Sequence, residues 1–207
     1  FGGTFVNRSR FLVEVIREVI RSVTPAMGVV VKMNLRDGFK GGMELDDAIL
    51  TARLLEREGV NALVLSGGFV SKSPMYILRG SMPVAVMARY MKNPLMKLGV
   101  RYFGKFLMKS VPYNDAYFLE DAMVIRREVK LPLILVGGLK SKIVIEDVLD
   151  KGFDFVQIGR ALINDPAFIN KLQSGEVVVS GCECSNVCIA RMYSGEISCI
   201  QSVDETD

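Results

Sequence analysis

Four short apolar runs, set between helix-like stretches, dictate what this chain can become. Residues 28–33, Gly-Val-Val-Val-Lys-Met, are β-branched and almost continuously apolar. Residues 61–65 run into Ser66-Gly67-Gly68, residues 133–136 into Gly137-Gly138, and residues 153–158 into Gly159-Arg160. Strands apolar on both faces are buried on both faces, which is the habit of parallel sheets. Residues 7–23 place Phe11, Leu12, Val15, Ile16, Val19, Ile20 and Val23 on one helical face. A second helix opens on Glu44, Asp46 and Asp47, carries Arg53 and Arg57 later, and ends before Gly59. That charge order suits the helix dipole, and the glycine suits a C-terminal cap. Residues 115–129 predict a third helix, Ser141 caps a fourth that stops before Gly152, and Asp165-Pro166 starts a fifth.

Strands alternating with helices predict an α/β chain with a parallel sheet and α crossovers. A closed TIM (β/α)8 barrel typically takes about 250 residues, and four strands occupy this chain of 207. A doubly wound open sheet is the alternative. A partial barrel is preferred because glycines follow three of the four strands, at the end where barrel enzymes bind ligands.

Composition narrows the chemistry. Half the residues are hydrophobic, enough for one domain with a full core. No apolar run reaches the roughly 18 residues of a membrane-spanning helix, and no leader pattern is visible. The chain opens at Phe1 rather than Met, so it reads as a fragment, a processed product or a sequence lacking its beginning. A net charge of +3 does not argue for nucleic acid. All four cysteines fall between Cys182 and Cys199. Thiols clustered in a core-rich chain predict a cytoplasmic protein rather than a disulfide framework. Histidine is absent, which removes the commonest general acid/base.

The strongest local signal is the pair Gly137-Gly138 and Gly159-Arg160, each ending a buried strand. Glycine lets backbone amides approach a phosphate closely, and Arg160 can grip it bidentately. Barrels frequently carry a phosphate site after their seventh and eighth strands. The bland alternative is that the glycines only make tight turns and Arg160 pairs with a surface carboxylate.

The opening Phe1-Gly-Gly-Thr-Phe-Val-Asn-Arg-Ser-Arg-Phe resembles the aromatic-Gly-Gly-Ser/Thr…Asn-Arg…Arg-Phe signature of the old yellow enzyme family, the NADH:flavin oxidoreductases and ene-reductases. Val31-Lys32-Met33-Asn34 resembles that family's fifth strand, Leu65-Ser66-Gly67-Gly68 its sixth, Gly137-Gly138 its seventh and Gly159-Arg160 its eighth. The resemblance implies that residues 1–207 form the C-terminal half of one FMN-binding TIM-barrel domain. Within it, about 70–111 would be a lid-like basic insertion and 180–200 a cysteine-containing segment. By resemblance, Gly137, Gly138, Gly159 and Arg160 hold the FMN phosphate, and Lys32 sits beside the flavin pyrimidine edge. A cation there stabilises charge on the reduced flavin; read from the residues alone, Lys32 could equally snorkel to solvent. The family's substrate-binding His/Asn pair and proton-donating Tyr have no counterpart here, so the catalytic residues are unknown. Tyr76, Tyr90, Tyr102, Tyr113, Tyr117 and Tyr193 lie outside the donor motif.

Cys182-x-Cys184-x3-Cys188-x10-Cys199 resembles the segment that holds a 4Fe–4S cluster in two-domain relatives. Their spacing is Cys-x2-Cys-x2-Cys with a distant fourth ligand. Aligned on Asn186-Val187-Cys188, the second ligand position is Ser185, so the expectation is a degenerate site, with no metal assigned. Zinc on the same thiolates is less favoured by the spacing.

Residues 59–114 contain no acid and eight bases: Lys72, Arg79, Arg89, Lys92, Lys97, Arg101, Lys105 and Lys109. The last four fall at i, i+4 spacing, with Leu95, Leu98, Tyr102 and Phe106 alongside, while Gly99 and Gly104 weaken a helix. Three readings compete: a lid or oligomer contact with solvated bases, a platform for an anionic ligand over the active site, and a membrane-surface helix. The second is preferred to the third because barrel loops on this face surround the site.

The expected function is an FMN-dependent NAD(P)H oxidoreductase that reduces activated alkenes. This chain would carry the phosphate site and be inactive without the missing N-terminal half of the barrel. The alternatives are an inactive half-barrel or scaffold that self-associates to cover its open edges, and a phosphate-binding barrel enzyme without flavin.

Overall fold

A computed structural model describes residues 2–89, 91, 93–107, 110–191 and 197–199. Phe1, Tyr90, Lys92, Lys109 and Tyr193, all named above, lie outside the described residues. In chain order the elements are α1 (Phe5–Ser22), β1 (Val30–Asn34), α2 (Leu45–Glu58), β2 (Ala62–Ser66), α3 (Pro74–Ile77), α4 (Val84–Arg89) and α5 (Pro94–Leu107). They continue with α6 (Leu119–Glu128), β3 (Leu133–Val136), α7 (Lys142–Asp150), β4 (Phe155–Gln157), α8 (Arg160–Asn164), α9 (Phe168–Ser174) and α10 (Val187–Arg191).

The four strands form one parallel sheet in the order β1-β2-β3-β4. Sequential order is what a barrel segment has; a doubly wound sheet reverses its order at the switch point. Register sets the two faces. Met33, Leu63, Leu65, Leu133 and Leu135 alternate onto one face and are buried there. They pack with Ile16 of α1, Ala48, Ala52 and Leu55 of α2, Ala122 and Ile125 of α6, and Val148 of α7. Small residues on α2 and α6 let those helices lie close to the leucines. The other face carries Val30, Lys32, Val64, Ile134, Phe155 and Gln157. It is open where it reaches the edge strands: Val30 is 52% and Phe155 58% exposed.

Two forked ion pairs pin α1 onto α2. Arg8 donates to both carboxylate oxygens of Asp47 at 2.8 and 3.0 Å, and Arg17 to those of Glu58 at 2.6 and 2.9 Å. Arg36 bridges Asp121 of α6 and Glu44 at the start of α2. Gly59 ends α2 in the left-handed conformation at φ +88°, as its place in the sequence predicts.

Three expectations are corrected. The third predicted helix starts at Leu119, not at residue 115, because the Ala116 amide leaves the helical path to donate to the Gly138 carbonyl. The turn at Asp165-Pro166 does not open directly into a helix. The Asp165 carboxylate accepts the Ala167 amide, α9 begins at Phe168, and the short helix α8 lies between Gly159 and this turn. The stretch after β2, where Gly99 and Gly104 predict a weakened helix, contains α3, α4 and α5. Neither glycine breaks α5, which packs on α4 and in which Gly104 is buried.

Two outcomes are expected from these contacts. Leu65→Ala removes a fully buried side chain at the centre of the core and should cost about 2–5 kcal/mol in denaturant unfolding. Arg8 holds the Asp47 carboxyl below its ordinary 3.8, and Arg17 holds Glu58 below its ordinary 4.5, each chiefly by the hydrogen bond it donates. A depressed folded value stabilises above the ordinary value and loses that contribution as pH falls through the depressed one. The urea midpoint should therefore hold steady from neutrality to the ordinary carboxylate range and fall below it, less steeply in Arg8→Met/Arg17→Met.

Candidate functional site

The C-terminal ends of β3 and β4 open into a cavity of about 220 Å³. Gly137, Gly138, Gly159 and Arg160 all line it, with Lys140, Tyr113, Tyr117, Cys182 and Cys184. The four residues singled out in the sequence for a phosphate thus share one rim. Among the described residues the cavity carries two cations, Lys140 and Arg160, and no carboxylate. Its walls suit an anion with an apolar body.

The glycines have a structural reason beyond any ligand. Gly137 and Gly138 have φ of +102° and +75°. A Cβ on Gly137 would lie 2.5 Å from the Tyr117 ring, and one on Gly138 2.6 Å from the backbone of Asn114 and Ala116. Both are fixed as glycine by the segment that folds over them. Gly159 differs: a Cβ there would meet nothing within 4 Å, so packing does not demand its glycine.

Arg160 is positioned by its far-off neighbours. Its Nη1 donates to the Arg79 carbonyl and to Asn186 Oδ1, both at 2.7 Å. Asn186 is buried, sits at φ +58°, and donates through Nδ2 to the carbonyls of Leu78 and Ser81 at 2.7 and 2.9 Å. One amide side chain therefore ties the guanidinium at the head of α8 to the loop after α3. Among the described residues no carboxylate pairs with Arg160. Lys140 donates to the Cys182 carbonyl at 3.2 Å and lies over the Tyr113 ring. Arg79 stacks on Tyr117, 4.6 Å from its ring centroid, and Tyr117 donates to the Ile77 carbonyl at 2.6 Å. The Tyr113 hydroxyl stands 2.8 Å from Asp115 Oδ1 and 3.0 Å from the Gly138 carbonyl. Burial, then the Asp115 carboxylate, pushes its phenol above the ordinary value; burial does the same at Tyr117.

Lys32 is not brought to this cavity. It is exposed on β1 and lines a separate hollow of about 390 Å³ with Leu12, Asn34 and Asp37. β2 and β3 stand between it and β4, a span of about 14 Å at normal strand spacing. Ser66, at the end of β2 on the same face as Lys32, is buried, and its Oγ lacks a hydrogen-bond partner among the described residues.

Cys182 and Cys184 are buried, Cys188 and Cys199 half-buried, and among the described residues none of the four is in a disulfide. Cys184 has φ +55°. A hydrogen bond between the first two thiols makes Cys182 the more acidic, helped by Arg160 and Lys140, and burial pushes Cys188 up. Among the described residues no three Cys, Asp or Glu side chains gather as a metal site. Among the described residues, none of the α5 side chains lines the cavity.

Asn186, Lys140, Tyr113 and Tyr117 have no role in the sequence reading. Only Asn186 carried a usable signal, as a residue tolerant of positive φ. Asn186→Gly keeps that conformation and deletes the amide, leaving the Leu78 and Ser81 carbonyls and Arg160 without that partner. It should lower unfolding free energy by about 1–3 kcal/mol in a denaturant titration.

No protein-family model matches the chain. It is 33% identical over 196 residues to a 4,4'-dithiodibutanoate disulfide reductase of Rhodococcus erythropolis, covering 94% of this chain and 48% of that protein. It is 30% identical over 184 residues to an NADH-dependent flavin oxidoreductase of a Neonectria species, covering 87% of this chain and 20% of that protein. The chain thus spans about half the length of the first relative and a fifth of the second. Among solved structures, a 2-naphthoyl-CoA reductase complex superposes with a TM-score of 0.64 at 21% identity, covering 88% of this chain and 24% of that one. An old yellow enzyme homologue of Zymomonas mobilis superposes with a TM-score of 0.53 at 17% identity, covering 87% and 41%.

Proposed function

We propose, from the premise that this chain belongs to the old yellow enzyme family of NADH:flavin oxidoreductases, that it supplies strands five to eight of an FMN-binding barrel. The whole protein would be an NAD(P)H-dependent reductase of activated alkenes, with this chain holding the cofactor phosphate. One observation carries the reading: residues at the tips of two adjacent strands converge with Arg160 and Lys140 on a cavity whose described lining is free of acid.

The donor set fits a phosphate dianion. Gly138 and Gly159 offer backbone without a side chain in the way, and Arg160 offers a planar fork already oriented by Asn186. Tyr113 and Tyr117, edge-to-face and backed by Arg79 over the Tyr117 ring, form an aromatic wall of the cavity, where lower polarity would raise the weight of each charge inside it. Lys32 and the orphaned Ser66 hydroxyl lie toward the far edge of the same sheet, where a long cofactor's polar edge would find a cation and a hydrogen-bond donor. When bound, FMN supplies the hydride acceptor and donor; the chain's residues hold, orient and screen it.

The open edges of β1 and β4, and the uncovered Val30 and Phe155, support a missing half that closes the sheet. The same open face supports the second reading, a non-catalytic half-barrel that self-associates.

Titration of the flavin-free full-length protein with FMN, followed by flavin fluorescence, tests the assignment. Arg160→Gln should weaken binding by about tenfold or more, as loss of a charge-assisted bidentate contact does. Lys32→Met should leave the phosphate grip intact and shift the flavin's reduction potential downward. A wild-type protein that neither purifies yellow nor quenches added FMN would end the flavin reading.

A further inference from the structure

α5 leaves a broad apolar arc uncovered. At 100° per residue, Leu95, Leu98, Tyr102 and Phe106 fall within one arc of α5, with Phe103 and Met96 continuing it. All six are exposed: Phe106 is 84%, Leu95 80% and Tyr102 72% accessible. The helix packs on α4 through its other side, where Gly104 is buried and Val100 half-buried. Arg101 stands on the flank of that arc and Lys97 on the far side of the helix, both exposed. A contiguous apolar patch of this kind on a soluble surface marks an interaction site.

Charge selects the partner. Residues 59–114 hold eight Lys and Arg and no acid, while the whole chain is only +3, so the remainder is net acidic. A second copy docked about a two-fold axis on α5 would bring Arg101, near the middle of the helix, against its own counterpart, an unfavourable pairing. An anionic lipid surface has no such conflict. Aromatic and leucine side chains on one arc with bases on its flank are the make-up of an interfacial helix. At fourteen residues, α5 is about 21 Å long, shorter than the roughly 30 Å hydrocarbon core. No helix among the described residues is long and apolar enough to cross a membrane. α5 would therefore lie in the plane of the surface.

We propose that α5 docks the protein on a membrane surface rich in anionic phospholipid, with the arc from Leu95 to Phe106 among the acyl chains and Arg101 at the headgroups. Full-length protein is floated with vesicles of phosphatidylcholine alone and with about 30% phosphatidylglycerol added. The wild type should float with the anionic vesicles and bind the neutral ones about tenfold less. Leu95→Ser/Tyr102→Ser/Phe106→Ser, all at exposed positions, should lower the floated fraction about tenfold at unchanged melting temperature and elution volume. Arg101→Glu should weaken flotation with the anionic vesicles only. A wild type that stays in the dense fraction, or a triple variant that still floats, overturns the proposal. A triple variant that melts lower or elutes at a different volume also overturns it, assigning the arc to the rest of the protein or to a second copy.

Discussion

Met33, Leu63, Leu65, Leu133 and Leu135 press one face of a parallel sheet against four helices, and every other feature of the molecule is oriented by that contact. Strand side chains alternate strictly, so committing these residues to the helices sends Lys32, Val64, Ile134 and Gln157 to the opposite face. Parallel pairing then aligns the C-terminal ends of all four strands along one rim. The cavity, the glycines and Arg160 sit on that rim because the core leaves them no other place.

The rim is held by side chains that reach over long sequence distances. Asn186 joins Arg160, 26 residues away, to the Leu78 carbonyl, 108 residues away. Tyr117 and the backbone of residues 114–116 close over Gly137 and Gly138 so tightly that no Cβ would fit. These contacts serve packing and preorganisation together: the groups that fix Arg160 would not have to be ordered again when an anion arrives. The relatives named above are a disulfide reductase and an NADH-dependent flavin oxidoreductase, and the similarity to them covers 94% and 87% of this chain.

Much of this was legible in the residues. Gly137-Gly138 and Gly159-Arg160 stand out because each ends an apolar run, and strand ends are where parallel sheets place their sites. Lys32 was legible as a charge inside an apolar strand, but its distance from the cavity was not, because sequence order does not say how far apart two edge strands stand. α5 was misjudged because Gly99 and Gly104 cost helix propensity locally, while packing of the helix on α4 is a tertiary contact that no local pattern shows. The reading of residues 115–129 as one helix failed at its first turn for the same kind of reason, a carbonyl of Gly138 competing for the Ala116 amide.

By itself, the sequence determined the order of the four strands and of the helices α1, α2, α6 and α7 packed on them, the two glycine pairs, the absence of histidine and the segregation of positive charge into residues 59–114. Those follow from local periodicity and composition, which need no knowledge of what lies beside what. Only the tertiary structure decided that Arg160 is held by Asn186, that Lys140 joins it, and that the apolar arc of α5 faces outward. Each depends on contacts between residues distant in the chain, and no local pattern encodes a partner.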